Sequence, residues 1–110
     1  FSPLVGMQMG ATRSFPGKPV DPNLALDPGE WGVLGPEERV NLAEMVASFT
    51  IHGAYANFLE SETGSLRAGK SADLVILDRN LFAIPETEVS QAAVLMTMLQ
   101  GETVHRAPGF

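Results

Sequence analysis

The segment GSLRAGKS, residues 64–71, carries the residue types of a phosphate-binding loop. The pattern G-x-x-x-x-G-K-[ST] is matched by Gly64, Gly69, Lys70 and Ser71. In such a loop, backbone N–H groups surround the phosphates, the lysine contacts them and the hydroxyl binds Mg²⁺. The apolar run that ends at Asp78 has the character of the strand that often supplies a magnesium-binding carboxylate. The chemistry that these residues would support is nucleotide binding.

The position of this segment in the chain argues against nucleotide binding. A phosphate-binding loop follows a strand and begins a helix, because the N–H groups of a helix N-terminus hold the phosphates. Here residues 52–59 before the segment favour a helix, and a run of strand-forming residues starts at Ala72, directly after Ser71. We therefore predict that the match is coincidental and that the segment binds no nucleotide.

The same glycines favour a turn that leads into a strand. Gly64 is expected to bend the chain out of the preceding helix, and Leu66 to be buried as the first strand residue. Gly69 is expected to take a positive φ in a hairpin-like turn of residues 67–70. The segment is thus predicted to be structural.

Strand patterns occupy the rest of the C-terminal part. Residues 72–78, ADLVILD, form a continuous apolar run that is typical of a strand buried on both faces. Asp73 is expected to accept hydrogen bonds from backbone N–H groups of a nearby turn, and Asp78 to end the strand. After a connector, residues 92–106 predict a strand, a tight turn at Gln100 and Gly101, and a second strand.

Helical patterns precede these strands. Residues 3–13 favour a short helix with Pro3 in its first turn. Asn41 and Glu44 have the spacing of a capping box at the start of a second helix. The apolar stripe of this second helix comprises Leu42, Met45, Val46 and Phe49. The third helix, 52–59, is expected to direct inward Ala54, Tyr55, Phe58 and Leu59.

Residues 14–36 are rich in proline and glycine and predict a long irregular surface loop, which Trp31 is expected to anchor by packing on apolar surface. With helices first and strands last, the chain is predicted to be α+β or the end of a larger fold.

Composition excludes several classes of function. The net charge is −6 and the pI is near 4.7, which argues against a nucleic-acid partner. The absence of cysteine excludes disulfides, thiolate metal sites and cysteine nucleophiles. No apolar run reaches the ~20 residues that span a bilayer. We predict a cytoplasmic protein that has no membrane partner.

The motif G-x-L-x-x-G-x-x-A-D-L, followed by an apolar strand that ends in Asp, resembles the C-terminal end of metal-dependent amidohydrolases, the superfamily of ureases, dihydroorotases and related deaminases. The motif residues here are Gly64, Leu66, Gly69, Ala72, Asp73, Leu74 and Asp78. More narrowly, FTIHGAYANFLESETGSLRAGKSADLVILDRNLFAIP resembles the branch that includes N-substituted formamide deformylase. The resemblance implies that residues 1–63 are the last helices of a TIM barrel and that residues 64–110 are strands of its small composite β-sandwich.

The resemblance also implies a metal-dependent chemistry whose ligands are not among these residues. Family members hold one or two divalent metals of the zinc type, through a His-x-His pair, further histidines, a carboxylate or carboxylated lysine, and an aspartate. The metal activates water for attack on the carbon–nitrogen bond of a small amide. None of those ligands maps onto these 110 residues, which have no His-x-His. The chain is therefore expected to hold no metal and no catalytic residue, and to be inactive alone.

The remaining candidate residues receive structural interpretations. His52, where relatives have Asn, is expected to cap a helix or lie exposed, and His105 to lie on the last strand. Two histidines are too few for a catalytic zinc site. Asp73 and Asp78 could be considered an acid–base pair, but each has a structural explanation. The methionines are assigned to the core, namely Met7, Met9, Met45, Met96 and Met98.

Two functions are left open by the sequence. The first is the C-terminal part of an amidohydrolase that acts on small amides or formamides. The second is a free-standing α+β interaction module without catalysis. In either case the stripe of the second helix and the strand 74–77 are expected to leave apolar surface exposed, so that the isolated chain forms homo-oligomers or loses solubility.

Overall fold

The computed structural model of the chain describes residues 2–16 and 35–110. Most of the predicted loop 14–36, including Trp31, lies outside the described residues. The chain divides into two compact units. The described residues of the first are 2–16, 35–45 and 81–91, and those of the second are 46–80 and 92–110. The architecture is a small α+β fold, as predicted.

The first unit is built on helix α1, Pro3–Thr12. Proline suits the first turn because its missing N–H would have no partner there. The helix ends where Arg13 takes the left-handed conformation, with φ 57°, and donates its N–H to the Met9 carbonyl. The prediction of a helix over 3–13 is confirmed to within one residue.

A buried amide joins α1 to the 3₁₀ helix Glu86–Gln91. Gln8 is 5% exposed, and its Oε1 accepts a hydrogen bond from the Ser90 N–H at 2.8 Å. Val89, in the same 3₁₀ helix, is fully buried. The sequence pattern assigned this stretch to a connector, although it contributes the most buried side chain among the described residues.

Helix α2, Leu42–Ser48, begins as the sequence predicts. Asn41 Oδ1 accepts the N–H of Glu44 at 2.9 Å, which is the N-terminal half of a capping box. Leu42 is buried, whereas Phe49, at the end of the predicted stripe, is exposed. Met45 packs so closely on Gly10 that a side chain at position 10 would displace it.

Helix α3, Ile51–Ala56, is shorter than the predicted helix 52–59. It ends because Phe58 takes a left-handed conformation, with φ 59°. Ala54 is buried as predicted, but Tyr55 and Phe58 are 68% and 89% exposed, and Leu59 is also exposed. The prediction that these three larger side chains face inward is wrong. Phe58 and Leu59 follow the end of the helix at Ala56, and Tyr55, although inside α3, is exposed next to the buried Ala54.

The second unit contains a three-stranded antiparallel sheet in the order β1-β2-β3. Its strands are β1, Leu74–Leu77, β2, Val94–Leu99, and β3, Glu102–Arg106. Gln100 and Gly101 both have positive φ, 52° and 84°, as a two-residue hairpin of type I′ requires. The predicted hairpin is confirmed.

Two predictions about the first strand are wrong. The apolar run was expected to be buried on both faces, but Val75 is 54% exposed and Ile76 is also exposed. Val75 and Ile76 are successive strand residues and lie on opposite faces of the sheet, and neither face is fully covered at these positions. Leu66, expected as a buried strand residue, is 75% exposed and lies outside the three strands.

No described helix combines the length and the apolar character that crossing a membrane requires.

Gly64 and Gly69 share a backbone conformation but differ in the space around them, which makes them a matched pair for mutation. Both have positive φ, 82° and 91°. A Cβ at Gly64 would lie 2.6 Å from Ala54 Cβ and 3.0 Å from Ile51 Cα, whereas at Gly69 it would meet nothing within 4 Å. We expect Gly69→Ala to cost about 1 kcal/mol of unfolding free energy for the backbone conformation alone. Gly64→Ala should cost roughly 3 kcal/mol, because a backbone displacement is added. Urea unfolding of both variants measures the difference, and equal midpoints would contradict this packing.

Candidate functional site

The glycine-lysine segment forms a turn in the second unit. The N–H of Lys70 donates to the Arg67 carbonyl at 3.1 Å, and Gly69 occupies the positive-φ position that the sequence predicts. The chain then runs directly into β1, so that a strand and not a helix follows Ser71. The arrangement therefore lacks the helix N-terminus on which a phosphate-binding loop depends.

The Lys70 ammonium group is surrounded by oxygen acceptors from the turn between α3 and this segment. It donates to the backbone carbonyls of Glu60 and Thr63, the latter at 3.2 Å, and to Ser65 Oγ at 2.7 Å. A lysine has three N–H donors, so these three acceptors use its full capacity. The side chain that would contact phosphates in a nucleotide site is here holding backbone carbonyls together.

Two further bonds attach the same turn to the strand entry. The Ser71 N–H donates to the Glu62 carbonyl at 2.8 Å. Thr63 Oγ1 donates to Asp73 Oδ2 at 2.7 Å. Together with Lys70, these residues form what we call the turn clamp, defined as Lys70, Ser71 and Asp73 holding residues 60–65.

Asp73 extends the clamp to the β2–β3 hairpin. Its Oδ1 accepts the N–H of Gln100 at 2.7 Å and the hydroxyl of Ser71 at 2.8 Å. The Gln100 N–H, followed by the hydroxyls of Thr63 and Ser71, holds the pKa of the Asp73 carboxyl below its ordinary value of 3.8. The expected bond to a turn N–H is present. The sequence did not indicate that the turn lies 27 residues later, nor that Thr63 takes part.

Asp78 is engaged by a separate set of donors. Arg79 contacts it through two nitrogens, Nε at 2.9 Å and Nη2 at 2.7 Å, and the Ala93 N–H donates to its Oδ1 at 2.9 Å. The hydrogen bonds from Arg79 and Ala93 lower the pKa of Asp78 to about 2. Each aspartate is thus stabilised in its ionised form by its own donors. Such a state suits hydrogen-bond acceptance and does not suit proton transfer near neutral pH.

Three other motif residues, Ala72, Leu74 and Gly64, belong to the same framework, whereas Leu66 is exposed. The Ala72 carbonyl accepts the N–H of Gly101 at 3.2 Å, and Leu74 pairs with Met98 in the sheet. The buried contact of Gly64 with Ala54 fixes the turn against α3.

The two histidines lie apart in secondary structure and are both exposed. His52 is in the first turn of α3, and His105 is in β3, with Nε2 3.4 Å from the Val94 carbonyl. Among the described residues, no group of three or more His, Asp or Glu side chains is placed to hold a metal ion. The described part of the chain therefore does not fit the donor set of a catalytic metal.

The sequence also matches a family model, described as the amidohydrolase family, over residues 6–105. The chain belongs to the amidohydrolase family. The match covers both units and includes every residue of the turn clamp.

Curated relatives refine this assignment. The chain is 38% identical over 68 residues to N-substituted formamide deformylase of Arthrobacter pascens, which covers 62% of this chain and 12% of that protein. It is 43% identical over 44 residues to imidazolonepropionase of Bdellovibrio bacteriovorus, covering 40% and 10%. It is 39% identical over 70 residues to Protein LONG AFTER FAR-RED 3 of Arabidopsis thaliana, covering 64% and 12%. The chain thus spans about an eighth or less of these relatives. No solved structure matches it.

Asp73 should make stability depend on pH in the acid range. Its pKa is lower in the folded chain than the ordinary 3.8, so its contribution is complete above that value and is lost as pH falls through the folded-state pKa. We expect Asp73→Asn to lower the thermal unfolding midpoint at neutral pH. The gap to the unmodified chain should narrow below about pH 4. Scanning calorimetry from neutral to acid pH checks this, with the exposed Glu102→Gln as control. A gap that stays constant with pH would show that the charge of Asp73 is not what the clamp uses.

Proposed function

We propose that this chain is the C-terminal portion of a metal-dependent hydrolase that acts on the non-peptide carbon–nitrogen bonds of small amides or formamides. The observation that carries the proposal is the family match over residues 6–105. The 68-residue similarity to N-substituted formamide deformylase supports a formamide or a related small amide as the substrate class. The chain's share of these relatives supports a longer polypeptide as the complete enzyme.

In this proposal residues 1–63 are the last helices of a TIM barrel and residues 64–110 are strands of a composite β-sandwich. The order of the α-helices and strands supports this division, because α1, α2 and α3 all precede Gly64 and the three strands all follow it. The two compact units divide the chain differently, after Met45 and on either side of residues 81–91. The turn clamp lies at this boundary and ties the end of the helical part to the entrance of β1.

The metal and the catalytic groups are assigned to the rest of the polypeptide. A divalent metal of the zinc type supplies activated water in such enzymes. The described residues offer no ligand group for it, so no catalytic step is assigned to them. Their contribution is structural, since Lys70 and Asp73 fix the chain path where helices give way to strands.

We also propose that the protein is cytoplasmic and binds neither a nucleotide nor nucleic acid. The bonds of Lys70 support a structural turn at residues 64–71 in place of a nucleotide site. The charge of −6 supports the absence of a nucleic-acid partner. A cytoplasmic location agrees with a chain without cysteine.

A free-standing α+β interaction module is the second candidate. The exposed aromatic side chains Tyr55 and Phe58 favour it, because large exposed apolar groups are typical of surfaces that bind another protein. The two functions differ in whether a longer enzyme is encoded.

The gene upstream of the codon for Phe1 tests the main proposal. We expect an open frame that encodes a barrel with a His-x-His pair, and we expect the longer polypeptide, supplied with zinc, to hydrolyse small formamides. Carboxylate release from a panel of small amides is the measurement. The 110-residue chain and the chelator-treated longer protein serve as controls and should be inactive.

Two results would contradict this proposal. Metal-dependent hydrolysis by the 110-residue chain would show that it carries a site of its own. A start codon directly at this segment, with no barrel encoded upstream, would favour the interaction module.

The exposed apolar side chains generate a prediction about the isolated chain. Phe49, Phe58, Val75 and Ile76 are all exposed. Burying such surface between copies removes it from water at about 25 cal/mol per Å². We expect the isolated chain to form a homodimer or larger homo-oligomers in sedimentation velocity, with Phe58→Ser shifting the distribution toward monomer. A monomer that persists at high concentration would contradict this.

A further inference from the structure

The turn before β1 surrounds the ammonium group of Lys70 with three oxygen atoms. These are the carbonyl oxygens of Glu60 and Thr63 and the hydroxyl oxygen of Ser65, which together we call the oxygen cradle. A primary ammonium group carries three N–H donors, so the acceptors and the donors are equal in number. Such a group is also a compact charge, unlike the planar guanidinium of arginine. The oxygen cradle is therefore matched to one kind of cation, a primary ammonium.

The oxygen cradle is positioned by hydrogen bonds other than those of the lysine. The N–H groups of Glu62 and Thr63 both donate to the Leu59 carbonyl at 2.9 Å. The Ser71 N–H donates to the Glu62 carbonyl at 2.8 Å. Thr63 Oγ1 donates to Asp73 Oδ2 at 2.7 Å. Because these four bonds restrain the backbone that carries the cradle, its oxygens should stay in place when the lysine side chain is shortened.

The charge of the turn also favours a cation. Residues 60–65, ESETGS, include two glutamates and no basic residue. Hydrogen bonds from a charged donor are about twice as strong as those between neutral groups, so an ammonium ion suits the cradle better than a water molecule does. Lys70 is half-buried, so the space that its side chain occupies is open to solvent at one end.

We propose that the oxygen cradle is a preformed binding site for a primary ammonium ion, which Lys70 occupies with its own side chain. When that side chain is shortened to a methyl group, the site takes an alkylammonium ion from solution. The matched probe is n-propylammonium, because Lys70→Ala removes three carbon atoms and the nitrogen. Occupation by Lys70 withholds this lysine from other ligands, phosphates included. The inference concerns this chain's own residues and does not depend on the proposed hydrolase activity.

The test measures the thermal unfolding midpoint of Lys70→Ala in the 110-residue chain as n-propylammonium chloride is added. A ligand that binds only the folded state raises this midpoint as its concentration increases. We expect a rise of about 5 °C at about 100 mM, which corresponds to a dissociation constant of about 10 mM. The unmodified chain should shift by less than about 1 °C, because its own lysine fills the site.

Matched controls separate binding in the cradle from general effects of salt. Sodium chloride reproduces the ionic strength, and tetramethylammonium chloride supplies a cation without an N–H donor. Neither should stabilise Lys70→Ala. Lys70→Met fills the space of the lysine stem without providing an ammonium group, so it should gain nothing from n-propylammonium. Adding Ser65→Ala to Lys70→Ala removes one of the three acceptors and should at least halve the rise.

A rise that is confined to n-propylammonium and to Lys70→Ala, and that Ser65→Ala reduces, would support the proposal. No rise, an equal rise in all three salts or in Lys70→Met, or a rise that Ser65→Ala leaves unchanged would overturn it, since the effect would not come from the cradle. A Lys70→Ala chain that stays unfolded at every n-propylammonium concentration would also overturn it, because the cradle would then not be preformed. All of these outcomes leave the hydrolase proposal to its own test.

Discussion

The second unit depends on the carboxylate of Asp73. It accepts hydrogen bonds from Thr63, from Ser71 and from the N–H of Gln100, groups that belong to three different segments. One side chain joins the turn after α3, the strand entry and the β2–β3 hairpin. It therefore fixes the position of the chain immediately before β1. A charged acceptor is suited to this role, since hydrogen bonds to an ionised group are stronger than those between neutral groups. The low pKa of Asp73 expresses the same preference for the ionised form.

This arrangement explains why the segment imitates a phosphate-binding loop. Both structures need glycine for positive φ and a lysine whose ammonium group satisfies oxygen atoms. In a phosphate loop those oxygens belong to the ligand, whereas here they are the carbonyls of Glu60 and Thr63 and the hydroxyl of Ser65. The element that follows decides between the two. A helix would direct free N–H groups at an anion, but β1 directs its N–H groups into a sheet.

Local features of the fold could be predicted from the sequence, and features that depend on distant contacts could not. The Asn41 cap, the positive φ of Gly69 and the hairpin at Gln100 and Gly101 are each determined within a few residues. The burial of Val89 depends on contacts that no pattern within its own 3₁₀ helix reveals. The sequence predicted that Asp73 accepts a hydrogen bond from a turn N–H. It did not predict which turn, because the donor, Gln100, is 27 residues away and is brought close by strand pairing. Thr63 had no distinguishing signal at all.

The failed burial predictions share a different cause. The run LVIL in β1 has the composition of a strand covered on both faces, and the aromatic residues near α3 have the composition of an inward surface. Val75, Tyr55 and Phe58 are nevertheless exposed in these 110 residues. The composition of a segment indicates whether it is suited to burial. Its actual exposure depends on which residues pack against it. The polar groups of the turn clamp find their partners within the chain, since backbone and side-chain donors of one short region suffice. Apolar faces need area from elsewhere, and in the hydrolase that we propose the rest of the polypeptide would provide that area.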